Sequence, residues 1–239
     1  MRSSNPVFRS IERSEAYAST EAASYRGIVL KTGGLLLTAV LSGYLSLAYL
    51  PIEQLYPLFI SSIFIALFAV LIASFFPRVA APFAILYALA EGVVLGLVTV
   101  IFESMAPGVA LAAVVATGAI FTVMLFLYSS RTIRVTPRFR KVMYGVLLGF
   151  LLFIVLGFVM SLAGVAIEFS NPMLLGISAI FIVFGALMLT LDFDRAEMIV
   201  ESGADRTYEW VVAVGLMVTI VWIYLELLRF LVIIFGNRN

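Results

Sequence analysis

The sequence predicts an all-α, polytopic membrane protein built as a bundle of seven transmembrane helices. Hydrophobic residues make up 63% of the 239 positions and charged residues 12%, and the mean hydropathy is +1.14. Soluble domains are about 25% charged. Each apolar run is long enough to cross about 30 Å of hydrocarbon as a helix of about 20 residues, whereas barrel strands would alternate over about ten.

Prolines separate the apolar runs and help to define the predicted spans. The residues expected in the gaps are Pro51, Pro57, Pro77, Pro107, Pro137 and Pro172. The predicted spans are residues 27–50, 56–76, 80–102, 108–128, 142–165, 173–191 and 208–235. No linker or repeat marks a second domain, so residues 27–239 are expected to form one transmembrane domain.

Basic residues predict the orientation of the bundle, because Lys and Arg in short loops stay on the cytoplasmic side. They occur in the first 26 residues and in the loops after spans 2, 4 and 6. The opposite loops, around Glu53, Glu103 and Glu168, contain neither Lys nor Arg. We therefore expect residues 1–26 to be a polar cytoplasmic tail and the C-terminus to lie outside. Lys31, in the first turns of span 1, is expected to extend its ammonium to the cytoplasmic interface.

The residue types that the chain lacks exclude several kinds of chemistry. There is no Cys and no His, which excludes thiol nucleophiles, imidazole bases and the usual zinc sites, so no cofactor is predicted. The net charge of +1 gives no reason to expect nucleic acid as a partner. Any proton or cation chemistry is therefore expected to use carboxylates, hydroxyls and backbone carbonyls.

Enzymes with several spans are also disfavoured. A retinal protein needs a Lys in its last span to form a Schiff base, and span 7 has none. An intramembrane aspartyl protease needs an Asp on each of two adjacent spans, and span 7 has no Asp. A Ser protease would depend on Lys31, the one Lys within a span. No phosphate-binding Gly-rich loop indicates a pump, so we expect a protein that is not an enzyme.

A few ionisable residues within the spans are the candidate functional groups. Glu91 lies near the middle of span 3, where a carboxylate persists if it faces a cavity, finds a partner or holds a proton. Its alternative role is a protonated carboxyl bonded to a neighbouring helix. Asp192 ends span 6, where it and Asp194 could instead form a solvated helix end. Glu226 and Arg229, spaced i, i+3 in span 7, belong either to a pathway or to a self-neutralising pair.

Two glycine pairs have the spacing that lets helices approach closely in lipid. They are Gly92 with Gly96 and Gly145 with Gly149. For both pairs, packing within the monomer is favoured over a dimer interface.

Four stretches of the chain resemble the Bax inhibitor family, the transmembrane Bax-inhibitor-motif proteins, and within it the bacterial YccA-like branch. They are Met-Arg-Ser-Ser-Asn-Pro-Val-Phe at residues 1–8, Tyr-Ala-Leu-Ala-Glu-Gly-Val-Val-Leu-Gly at 87–96, Thr-Leu-Asp-Phe-Asp-Arg-Ala-Glu at 190–197, and Tyr-Glu-Trp-Val-Val-Ala-Val-Gly-Leu at 208–216, which runs on into Trp-Ile-Tyr-Leu-Glu-Leu-Leu-Arg at 222–229. Their order and spacing cover nearly the whole chain. The resemblance implies a seven-span bundle in which the last helix is central and wrapped by the other six.

The resemblance also implies a pH-sensitive latch of two Asp residues over a calcium leak. The first Asp corresponds to Asp192. The second falls near Thr219 or Ile220 in one register, neither of which is acidic, and on Glu226 in another. We therefore hypothesise that Asp192, with Asp194 or a span-7 hydroxyl such as Thr219, gates the cytoplasmic mouth, and that Glu91 provides a midplane site.

These inferences predict a passive, pH-sensitive leak for Ca²⁺ or another cation in the plasma membrane of a prokaryote. Asp192 and Glu91 are the expected transient contacts of the ion. The alternative is a non-transporting regulator that binds a membrane-bound protease or another membrane protein through its tail and its lipid-facing surfaces. Besides the lipid bilayer, calcium and such a protease are thus the expected partners.

Overall fold

The structure is a computed structural model that describes residues 22–164 and 170–236. Within these ranges it contains no strand and seven long helices. The helices are Tyr25–Tyr49 (α1), Ile52–Phe75 (α2), Ala80–Met105 (α3), Val109–Ser129 (α4), Pro137–Leu162 (α5), Asn171–Glu201 (α6) and Tyr208–Phe235 (α7). All seven are long and apolar enough to cross a membrane, which confirms the predicted class.

Three predicted boundaries differ from the structure by four residues or more. Helix α6 continues to Glu201 rather than ending at residue 191, because charged side chains in its last turns pair with basic residues on α5 and in the loop between α4 and α5. Helix α5 begins at Pro137 rather than at residue 142, where Thr136 accepts a hydrogen bond from the amide of Phe139 at 3.1 Å. Helix α2 begins early enough to contain Pro57, which costs the helix one backbone hydrogen bond.

The first glycine pair brings α1 and α3 into close contact. A Cβ atom on Gly92 would overlap the backbone of Ala39, and one on Gly96 would lie 3.0 Å from the Cα of Gly43. At this crossing the hydroxyl of Ser42 donates to the carbonyl of Leu89 at 2.7 Å. Packing within the monomer is thus confirmed for this pair.

Helix α7 is the centre of the bundle, as predicted. Its apolar window is 67% buried, the largest share of any of the described helices. It packs against α1, α2, α3, α4 and α6. Fully buried residues such as Val214, Met217 and Ile223 lie along different sides of the helix, which is the pattern of a helix surrounded by others.

Helix α5 lies at the edge, held mainly by long side chains. None of its apolar window is buried. Phe150 stacks on Trp222 of α7 with ring centroids 5.4 Å apart, and it also contacts Phe181 of α6. No described atom lies within 4 Å of a Cβ built on Gly145 or Gly149, so the interpretation of monomer packing is wrong for this pair.

The two ends of the bundle differ in charge, and hydrogen bonds join neighbouring segments at each end. The end that holds Arg78, Arg131 and Arg206 is called the basic end here. There the amide of Ala23 donates to the carbonyl of Ala204 at 2.8 Å, which ties the start of α1 to the α6–α7 loop. At the opposite end Glu103 accepts from the first amides of α4.

The predicted tail falls mostly outside the described residues. Helix α1 begins at Tyr25, two residues before the predicted start of the first span. Residues 1–21, the loop around Glu168 and residues 237–239 lie outside the described ranges.

Candidate functional site

Asp192 and Thr219 meet where α6 packs against α7. The Thr219 hydroxyl donates to Oδ2 of Asp192 at 2.6 Å. Thr219 is buried and Asp192 is largely buried. Gly215 lies one turn before Thr219, and a Cβ on it would be 3.7 Å from Oδ1 of Asp192, so the absent side chain leaves room for the carboxylate. The structure thus joins two residues that the sequence placed together as one of two alternatives.

Few charged groups act on the carboxylate of Asp192. Arg195, one turn along the same helix, is the positive group that acts on it electrostatically. Among the described residues no Lys or Arg forms an ion pair with Asp192. Its direct partner is therefore a neutral hydroxyl, which can donate to the ionised carboxylate and accept from the protonated one.

Asp194 faces away from this contact. Its Oδ2 lies 2.6 Å from a guanidinium nitrogen of Arg140 on α5. Residues two positions apart on a helix do not share a face. The structure therefore does not bring Asp192 and Asp194 together, and Asp194 instead ties α5 to α6.

Glu91 is near the middle of α3 and largely buried. Its carboxylate accepts no hydrogen bond from any described residue. The phenol of Tyr87, one turn earlier, is buried and close enough to interact electrostatically with it. The structure does not bring Glu91 to Asp192, and in the described part of the chain no three acidic residues group as metal ligands.

Glu226 and Arg229 form the predicted pair on α7. The guanidinium of Arg229 lies 3.3 Å from Oε1 of Glu226, which is buried. Ser178 of α6 is also fully buried, and its hydroxyl is close enough to the Glu226 carboxylate to interact with it, although the geometry is not that of a full hydrogen bond. This cluster is in the half of α7 opposite the basic end, so it is distant along the helix from Thr219.

Sequence reasoning missed a carboxylate at the start of α7. Glu209 is 1% exposed and accepts from the amide and hydroxyl of Ser24 at 2.7 and 3.0 Å. It also pairs with Lys31, whose ammonium lies 5.1 Å from the ring centroid of Trp210. Lys31 therefore extends towards the basic end and pairs there with a buried carboxylate. The sequence signal was two opposite charges, each inside the first turns of a predicted span.

A second missed group lies at the basic end of α4. Glu197 of α6 accepts from the phenol of Tyr128 and from the guanidinium of Arg131. The hydrogen bond between Arg131 and Glu197 raises the pKa of Arg131 above its usual value, which keeps the guanidinium cationic. Arg131 has a left-handed φ of 59°, so the chain turns sharply here between α4 and α5.

The chain that forms this seven-helix bundle matches a known family. A family model described as Bax inhibitor 1 like matches residues 5–236. The chain belongs to the Bax inhibitor 1-like family. The match covers all seven helices and every candidate residue, so the predicted Bax inhibitor resemblance is confirmed. The YccA-like branch stays a prediction. A search among curated proteins finds no match to this Bax inhibitor 1-like chain.

Proposed function

We propose that this Bax inhibitor 1-like protein is a pH-sensitive, passive leak for Ca²⁺ or another cation. Its location is the plasma membrane of a prokaryote, with the basic end in the cytoplasm. The observation that supports this proposal most is the contact of Asp192 with Thr219 between α6 and the central α7. A titratable group at a helix–helix contact can link protonation to the packing of the two helices.

Protonation changes this contact in a defined way. When Asp192 is ionised, the hydroxyl of Thr219 donates to it, and a charge-assisted bond holds α6 and α7 together. When Asp192 binds a proton, that charge disappears and the bond becomes one between neutral groups, which is about half as strong. Arg195 is the charged group that acts on the Asp192 carboxylate electrostatically. One carboxylate and one hydroxyl therefore take the place of a latch of two carboxylates.

Glu91 is proposed as a second position along the pathway at which the cation makes contact. Its carboxylate is near the middle of α3, and it accepts no hydrogen bond from a described residue. Ionisable groups within spans are costly and are commonly functional. A carboxylate oxygen is also a ligand that Ca²⁺ prefers. In this proposal the cation moves down its gradient, with transient contacts to Asp192 and Glu91 and with no bound cofactor.

The proposal is tested by Ca²⁺ entry into liposomes that hold the purified protein, at pH 6 and pH 8. Wild type is expected to pass Ca²⁺ at a rate that differs between the two pH values. Asp192→Asn is expected to remove most of that difference, and Glu91→Gln to lower the rate at both. Glu201→Gln, an exposed carboxylate at the end of α6, is the control and should match wild type. Wild-type flux equal to that of empty liposomes would refute the leak.

A second function is favoured by the lipid-facing surface of α5. None of its apolar window is buried, and no described atom lies within 4 Å of a Cβ on Gly145 or Gly149. Such a surface suits a regulator that binds a membrane protease or another membrane protein. Deleting residues 1–21 separates the two functions. The leak should keep its flux, whereas a regulator that uses its tail should lose its partner.

A further inference from the structure

A long groove runs along the bundle between α1 and α4. These two helices make little direct contact, and a cavity of about 1140 Å³ lies between them. Its floor is formed by α3 and α7, with residues such as Gly96 and Ile220. It extends from Tyr25 and Arg131 at the basic end to Tyr44 and Leu111 towards the other end. We call this cavity the α1/α4 groove.

The groove is apolar along most of its length. Val29 on α1 is 68% exposed, and Val114 on α4 is 56% exposed. Both belong to helices long and apolar enough to span the membrane, so the groove opens towards hydrocarbon rather than water. An apolar groove of this kind does not hold ordered water, because water needs polar partners. Its occupant therefore comes from the bilayer or from another membrane protein.

The size of the groove suits flexible acyl chains. Its volume is close to the upper end of the range of about 300–1,000 Å³ found for small organic ligands. Flexible acyl chains can fill such a volume without displacing α1 from α4.

The basic end of the groove carries the polar groups that a lipid headgroup needs. Arg131 is at this end, and its side chain is 60% exposed. Its two contacts with Glu197 use the terminal nitrogens, and a guanidinium has five N–H donors in all. Tyr25, 51% exposed, lies beside the same mouth. Tyrosines are enriched where a membrane meets water.

We propose that the α1/α4 groove binds an anionic phospholipid, with an acyl chain along the groove and the phosphate on Arg131. Glu197 and Glu201 lie close enough to Arg131 to act on its charge, but the chain that follows supplies further cations at Arg134, Arg138, Arg140 and Lys141. This excess of positive charge at the basic end favours an anionic headgroup, and Arg131 can donate hydrogen bonds to its phosphate oxygens. The apolar walls then hold the acyl chain through van der Waals contacts, which the walls would lack if the groove were empty. This lipid site is independent of whether the protein conducts ions.

The groove also lies against the candidate gate. Phe193 and Ile220 line it, and they directly follow Asp192 and Thr219 in the chain. A bound acyl chain would therefore pack against both helices that form the Asp192–Thr219 contact. Lipid in the groove would stabilise α6 and α7 in the arrangement seen here.

The lipid site is tested by native mass spectrometry of the delipidated protein. The probes are phosphatidylglycerol and phosphatidylcholine with identical acyl chains. Wild type is expected to retain phosphatidylglycerol about fivefold better than phosphatidylcholine, as expected for one favourable cation at the surface. Equal retention of the two lipids by wild type would overturn the assignment of the phosphate to Arg131.

A bulky side chain in the groove tests where the acyl chain lies. Gly118 lines the groove, and a Cβ on it meets no described atom within 4 Å, so Gly118→Phe should fold and fill the space. Retention of both lipids should fall about tenfold. The matched control is Gly145→Phe, an equally open glycine on α5 outside the groove, which should bind as wild type does. Wild-type retention by Gly118→Phe would overturn the site.

Two further variants test the headgroup and the rival occupant. Arg131→Asn keeps a residue that tolerates the left-handed backbone and should remove the preference for phosphatidylglycerol. Arg134→Asn, an exposed arginine that does not line the groove, should keep it. The chain has no cysteine, so Val114→Cys provides one thiol in the groove. A disulfide between two copies of this variant in native membranes would show that a helix covers the groove, and would overturn the lipid proposal.

Discussion

The two glycine pairs have the same spacing but different surroundings. Gly92 and Gly96 lie against the backbone of α1, whereas Gly145 and Gly149 have no described atom within 4 Å of an added Cβ. The first pair belongs to the closely packed centre formed by α1, α3 and α7, and the second to the peripheral helix α5. Glycine spacing thus permits close approach of helices, but the neighbouring helix decides whether that approach occurs.

The same contrast extends from packing to charge. In the centre, the ion pair of Lys31 with Glu209 is almost fully buried, with side chains 13% and 1% exposed. At the edge, Arg140 pairs with Asp194 while 39% of its own side chain stays exposed. Buried pairs are costly to break, and exposed pairs contribute little. Substitutions in the centre of the bundle are therefore expected to lower its stability more than substitutions on α5.

The largest effect is expected from a side chain placed between α1 and α3. Gly92→Leu should lower the free energy of unfolding by about 3 kcal/mol or more, because the new atoms overlap the Ala39 backbone. The apparent Tm in detergent, followed by the loss of monodisperse protein, measures the change. Gly149→Leu on α5 is the matched control, with an expected change within about 0.5 kcal/mol. Similar Tm values for the two variants would contradict the difference in packing between the centre of the bundle and α5.

A smaller effect is expected from removing the buried charge at the start of α7. Glu209→Gln leaves the ammonium of Lys31 without its carboxylate, and the expected loss is about 3 kcal/mol at most, since Lys31 keeps some access to solvent. The comparison is Glu201→Gln, where the carboxylate is exposed. The two Tm values should differ clearly. If they coincide, Glu209 does not hold α1 to α7.

The smallest effect on stability is expected at α5. Arg140→Gln removes the ion pair with Asp194, which should cost about 0.5–1 kcal/mol. Amide hydrogen exchange in the first turns of α5 should become faster, while exchange in α7 stays unchanged. Arg138→Gln, an exposed arginine in the same turns, should leave both unchanged. Faster exchange throughout the bundle would show that α5 is part of the core.

The number and class of the helices could be predicted from the sequence, because the length and hydropathy of an apolar run are local properties. It failed at the end of α6, where the stretch from Asp192 to Glu201 is charged enough to resemble a loop. That stretch stays helical because Asp194 pairs with Arg140 on α5 and Glu197 pairs with Arg131 in the loop between α4 and α5. Such partners are distant in sequence and cannot be identified from the composition of the stretch itself.

The candidate site was predicted in part. The register that placed Thr219 opposite Asp192 came from the family resemblance, and the structure brings these two residues together. The pair of Glu226 and Arg229 was predictable because its spacing lies within one helix. The pair of Lys31 and Glu209 was not, since its members are 178 positions apart and only the tertiary fold brings them together.

The central claim is that the Asp192–Thr219 contact makes a passive cation leak respond to pH. The most direct test is Ca²⁺ entry into liposomes across a pH series, comparing wild type with Thr219→Asp and Thr219→Val. Thr219→Asp places two carboxylates side by side, and such a pair titrates in two macroscopic steps. We expect a one-step pH profile in wild type, a two-step profile in Thr219→Asp and an altered profile in Thr219→Val. Identical profiles in all three proteins would contradict the claim.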